Sequence, residues 1–122
     1  MLEIEEPLGF SEDFSTEHAL RMLDFYCKTL ESRGYTSHAY PEIETRLGGK
    51  KFDTPKFETL CHAMWMCDRT REFLRAGRFA KVYRWIGMVQ GILFMNGVFS
   101  LAELKEHNRF AIPDAVPYRD RR

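Results

Sequence analysis

Residues 84–104 read Arg84-Trp85-Ile86-Gly87-Met88-Val89-Gln90-Gly91-Ile92-Leu93-Phe94-Met95-Asn96-Gly97-Val98-Phe99-Ser100-Leu101-Ala102-Glu103-Leu104. The spacing predicts a nearly all-apolar helix, a stop at Gly97, and a second helix opened by the capping box Ser100-x-x-Glu103, whose two side chains satisfy free amides reciprocally. A helix apolar on more than one face does not stand alone in water. It must be the centre of a bundle or half of an interface between chains.

Reading back from this stretch, the apolar helix begins near Phe79, directly after Gly77, with Phe79, Val82, Ile86, Val89 and Leu93 on one face and Trp85, Met88, Ile92 and Met95 on a flank. Two helices joined at one glycine fold back as a hairpin. The preceding helix opens at Thr54-Pro55, a cap followed by a proline at the first helical position, and has an inner stripe of Phe57, Leu60, Cys61, Met64, Cys67 and Leu74. A further helix starts at Ser15 or Thr16 and ends at Gly34, with Ala19, Leu23, Tyr26, Cys27 and Leu30 at helical spacing. Pro41, Gly48, Gly49 and the pair Lys50-Lys51 make residues 35–53 a loop. The expected architecture is all-α: a small bundle of three long helices plus one short C-terminal helix. It forms one domain over residues 1–122, with an extended arm at 1–14 and a tail at 110–122.

The 122 residues carry equal numbers of acidic and basic side chains, with 44% hydrophobic residues. This is a globular composition, and no global field draws nucleic acid or a membrane. The charge is unevenly placed. Residues 1–60 hold 7 Lys/Arg against 12 Asp/Glu, a net −5, and residues 61–122 hold 11 against 6, a net +5. The longest apolar run, Ile86 to Met95, is shorter than the roughly 20 residues a membrane-spanning helix needs. The acidic N-terminal residues lack the pattern of a secretory leader. Cys27, Cys61 and Cys67 are an odd set, so reduced thiols in a cytoplasm are expected.

Motifs for chemistry are absent. Cys61 and Cys67 differ by about 600° of helical rotation and do not converge on a metal. They read as small buried hydrophobes. His18, His38, His62 and His107 lie in four different segments, with His18 and His107 placed at the surface or at helix ends. Gly48-Gly49-Lys50-Lys51 lacks the spacing of a phosphate-binding loop. The sequence assigns no catalytic, cofactor or metal site.

Two features point to partners. Gly87 and Gly91 lie on one helical face and predict close packing by a crossing helix. Arg69, Arg71, Arg75, Arg78, Lys81 and Arg84 form the densest charge cluster, around a turn flanked by Trp65, Tyr83 and Trp85. Such a cluster suits three roles: docking the acidic segment Glu3, Glu5, Glu6, Glu12 and Asp13, binding an acidic protein, or binding a phosphate backbone with stacked bases. The helix at Ser100 presents Glu103 and Glu106, which weighs against a DNA-recognition helix.

The pattern Arg84-Trp85-Ile86-Gly87…Gln90-Gly91-Ile92-Leu93…Gly97-Val98-Phe99-Ser100…Glu103-Leu104…His107-Asn108-Arg109 resembles a group of small uncharacterised phage and prophage proteins. The resemblance covers the C-terminal quarter of the chain and carries no functional residue with it. It implies phage origin and, by analogy, stoichiometric binding to a host or phage protein. The expectation is thus a non-enzymatic protein-binding module acting in host takeover or defence evasion, located in the cytoplasm, with homodimerisation through the Trp85–Met95 flank. The alternative is a nucleic-acid-associated accessory protein using the basic turn.

Overall fold

A computed structural model describes residues 15–45 and 56–109. The chain is all-α: five helices and no strand among the described residues, namely α1 (Thr16–Ser32), α2 (Pro41–Thr45), α3 (Lys56–Arg75), α4 (Phe79–Met95) and α5 (Leu101–Arg109). The arm expected at 1–14, the tail at 110–122, the Gly48–Lys51 segment and the Thr54-Pro55 helix start lie outside the described residues.

Local chemistry sets the helix ends. The Ser15 side chain accepts the His18 amide at 3.1 Å and caps α1. Between α3 and α4, Gly77 takes φ +77, a conformation that costs a residue without Cβ nothing. Its N–H bonds the Leu74 carbonyl and the Arg78 N–H bonds the Phe73 carbonyl, both at 3.0 Å. The last carbonyls of α3 are thereby satisfied as the chain turns back. The capping box at α5 is formed in both directions: the Glu103 amide reaches Ser100 Oγ at 3.1 Å, and the Ser100 amide reaches Glu103 Oε1 at 2.8 Å.

The segment expected to be a loop contains α2, which corrects that reading. Pro41, with its fixed φ, occupies the first helical position, and the Ile43 amide bonds the Tyr40 carbonyl. The connector is fastened to α3 by the His38 N–H on the Cys61 carbonyl (3.3 Å) and the Tyr40 N–H on His62 Nδ1 (2.9 Å).

The second correction concerns the centre of the molecule. α4 is the more apolar helix in sequence, yet α3 is the more enclosed. α3 packs against both α1 and α4, and its buried residues Leu60, Cys61, His62, Ala63, Met64, Met66, Cys67, Thr70, Phe73 and Leu74 go round the helix. Its polar members are satisfied: Thr70 Oγ1 donates to the Met66 carbonyl at 2.7 Å, and His62 accepts from Tyr40. By contrast, α4 buries one face only, Val82, Ile86, Val89, Gln90 and Leu93. Phe57, expected in the inner stripe of α3, is 52% exposed and lies against the Tyr35 ring at 5.5 Å.

Candidate functional site

The α3–α4 hairpin sets two rows of side chains beside each other. Trp65, Arg69 and Phe73 follow at four-residue intervals on α3, and Lys81 and Trp85 at the same interval on α4, so each row keeps to one side of its helix. Phe73 is the hub. The Trp85 ring meets it edge-on at 4.9 Å, and the Trp65 and Trp85 centroids are 6.3 Å apart. Three cations surround this aromatic cluster. Lys81 Nζ stands 4.5 Å from the Phe73 centroid and 5.9 Å from that of Trp85. The Arg69 guanidinium is 5.6 Å from Phe73 and 6.0 Å from Trp65, and that of Arg78 is 5.5 Å from Phe73. Each contact contributes about 0.5–1 kcal/mol at a solvated site. The cations cover the ring faces with apolar stems and keep their charge at the surface.

Of the residues expected to bind a partner, Trp65, Trp85, Arg69, Arg78 and Lys81 therefore converge. Arg71 does not join them. It reaches towards α1, with Nη1 2.7 Å from Asp68 Oδ1 and Nη2 3.9 Å from Asp24 Oδ1. Arg75 is exposed in the last turn of α3. Docking of the acidic residues Glu3 to Asp13 on this cluster lies outside the described residues.

From Trp85 an apolar flank runs along α4 through Met88, Ile92 and Met95. Trp85 and Ile92 are half-buried, whereas Met88 is 60% and Met95 78% exposed, with Phe94 beside them at 44%. Gly87 and Gly91 are exposed as well, and a Cβ built on either would meet nothing within 4 Å. This corrects the expectation of close packing at Gly87 and Gly91. Among the described residues no helix crosses there, because the crossing partner of α4 is α3, on the opposite side.

The polar residues that sequence reasoning missed form a second constellation, in the core. Tyr26 of α1 is fully buried. Its hydroxyl lies 2.8 Å from His107 Nδ1 of α5 and accepts from Gln90 Nε2 of α4 at 2.9 Å. Gln90 Nε2 also donates to Asn108 Oδ1 at 3.0 Å, and His18 Nε2 donates to the His107 carbonyl at 2.7 Å. Gln90 donates to the tyrosine oxygen, and the imidazole tautomer sets the direction of the Tyr26–His107 bond. Burial pushes the Tyr26 hydroxyl well above the ordinary tyrosine range. Rings enclose the pair: Phe25 and Phe99 meet His107 edge-on at 5.4 and 5.0 Å. His107 does sit in the last turn of a helix, α5, but buried and not at the surface. An enclosed hydrogen-bonded network of this kind fixes helices relative to one another.

Among the described residues, no three His, Cys, Asp or Glu side chains converge as metal ligands, and no helix is long and apolar enough to cross a membrane. Set beside known proteins, the chain matches no protein family, no curated protein and no solved structure.

Proposed function

We propose that this chain is a non-enzymatic protein-binding module, a bundle of three long helices with the short α2 and α5, whose contact face is the Trp65–Phe73–Trp85 cluster and the adjoining flank of α4. One observation carries the reading. α3 supplies the centre, so the apolar outer side of α4 is surplus to the core and stays open at Met88 and Met95. Burying a methionine side chain in an interface is worth about 1.5–3 kcal/mol, and flexible thioethers adapt to varied partners. Arg69, Arg78 and Lys81 at one end favour a partner with acidic residues beside its apolar anchor, chiefly by speeding encounter. The phage-like pattern of residues 84–109 extends the proposal to stoichiometric capture of a host or phage protein in the host cytoplasm.

Nucleic acid is disfavoured at this face because Glu72 pairs with Arg69 there. The test immobilises the purified protein and captures partners from a lysate of the native host. Comparison of wild type with Met88→Asp/Met95→Asp and with Arg78→Glu/Lys81→Glu should show loss of one stoichiometric protein in the first variant and slower association in the second. Identical capture by all three would overturn the proposal. So would salt-sensitive DNA binding abolished in the second variant alone.

A further inference from the structure

The register of the helices puts the start of α1 at the same end of the bundle as the basic α3–α4 turn. α1 runs antiparallel to α3: Asp24 lies 3.9 Å from Arg71 near the end of α3, whereas the Tyr35 ring, just past α1, meets Phe57 at its start with centroids 5.5 Å apart. α1 therefore runs parallel to α4, and the 2.9 Å bond between Gln90 and Tyr26 sets their register. Eleven residues back along each helix, about 16 Å at 1.5 Å per residue, stand Ser15 and Phe79. Residues 1–14 are thus joined to the bundle level with the turn.

That turn is open and cationic. Arg75 and Arg78 are exposed, and among the described residues neither they, nor Lys81 or Arg84, form an ion pair, whereas Arg69 is held by Glu72 and Arg71 by Asp68. Phe79 is in phase with Val82 and Ile86, which are fully buried, yet is itself 46% exposed, so the core stripe of α4 runs on past the end of the bundle. The segment joined beside it complements both properties. Residues 1–14 hold Glu3, Glu5, Glu6, Glu12 and Asp13 and no Lys or Arg, with Leu8, Phe10 and Phe14 between and after them.

We propose that residues 1–14 are the intramolecular occupant of the basic end of the contact face, with their carboxylates on Arg75, Arg78 and Lys81 and an aromatic ring on Phe79, and that an outside partner must displace them. The regulatory consequence rests on reading this cluster as the contact face; the docking itself does not. Reach is ample, since fourteen residues can span up to about 46 Å and Trp65 lies only about 15 Å along α3 from Arg75. Exposed ion pairs are individually weak and screened by salt, but a tethered segment meets its site at an effective concentration in the millimolar range. An outside ligand then binds only the open fraction, and its apparent affinity falls by that fraction. The segment also describes the ligand that would replace it: a run of carboxylates carrying apolar anchors.

The chain's two tryptophans, Trp65 and Trp85, both lie in the cluster, so acrylamide quenching of their fluorescence reads occupancy of the face. The full chain is compared with the variant Glu3→Gln/Glu5→Gln/Glu6→Gln/Glu12→Gln/Asp13→Asn. At low salt the variant should be quenched roughly twofold more steeply, and about 0.5 M sodium chloride should bring wild type to the variant's value while leaving the variant unchanged. A synthetic peptide of residues 1–14 should bind the variant about five- to tenfold more tightly than wild type, where the tethered copy competes. Adding Arg78→Glu/Lys81→Glu to the variant should abolish that binding. Equal quenching of wild type and variant at low salt, or equal peptide affinity for both, would overturn the proposal. So would protection in wild type that grows with protein concentration, because the segment would then occupy a second copy. No outside partner enters these measurements: a docked segment with no partner captured from lysate sinks the contact-face reading alone, and a captured partner with no docked segment sinks this proposal alone.

Discussion

The Tyr26 hydroxyl and His107 Nδ1 lie 2.8 Å apart, although 81 positions separate them in sequence. This bond, with Gln90 on the same oxygen, is what fixes α5 against α1 and α4. Tyr26→Phe keeps the ring and deletes the oxygen, so His107 Nδ1 loses this bond and the buried Gln90 amide keeps only Asn108. A cost of about 1–3 kcal/mol follows. The ionisation adds a pH signature. The folded state holds the Tyr26 proton beyond the ordinary value of 10.0, so above that pH the unfolded chain binds fewer protons than the folded one. Stability from this group is complete below pH 10 and declines as pH rises beyond it. Urea melts at pH 8, 10 and 11 should show a steeper alkaline decline in wild type than in Tyr26→Phe. Parallel declines would mean that the hydroxyl is not held protonated by the fold.

The burial asymmetry between α3 and α4 yields a second set of expectations. Leu60→Ala on α3 and Ile86→Ala on the inner face of α4 should each cost about 2–5 kcal/mol, as large-to-small changes at enclosed positions do. Met88→Ala should stay within about 0.5 kcal/mol. Gly91→Ala should raise stability by roughly 0.5–1 kcal/mol, because an exposed mid-helix glycine gives up that much propensity and meets no neighbour. Thermal melts of the four variants are sufficient. A destabilising Gly91→Ala would restore a close backbone contact at that site.

The helix boundaries at Ser15, Gly34, Gly77, Gly97 and the Ser100–Glu103 box were legible because capping is local chemistry within a few residues. The central helix was not. His62, Ala63 and Thr70 are all buried, and none marks a core position in the way leucine does. Their enclosure depends on α1, the His38–Tyr40 connector and α4 arriving on different sides of one helix. The aromatic and basic cluster was half legible. Trp65, Trp85, Arg69, Arg78 and Lys81 could be named from charge density and adjacency, but the hub, Phe73, looked like any other apolar residue. Arg71 belongs with its basic neighbours by sequence, whereas its helical phase turns it to Asp68 and Asp24.

The final prediction concerns assembly. Two copies related by a two-fold axis could oppose their α4 flanks, each placing Met88 and Met95 over the exposed backbone at Gly87 and Gly91 of the other. Such isologous pairing is the commonest way for a small chain to enclose an apolar strip. Glycines with open space above them are well suited to receive a partner's side chains. A dimer whose population rises with concentration is therefore expected by light scattering across the micromolar range. Met95→Asp should give monomers throughout, since an unpaired carboxylate in a dry contact is costly, while its melt stays close to that of wild type because Met95 supports nothing in the monomer core. Gly91→Leu separates the two roles of the glycine: it should leave the monomer folded and weaken the dimer by filling the space the second chain needs. A wild type that stays monomeric at every concentration, with Gly91→Leu unaltered, would show that the flank does not pair with itself and would leave it wholly to the unlike partner.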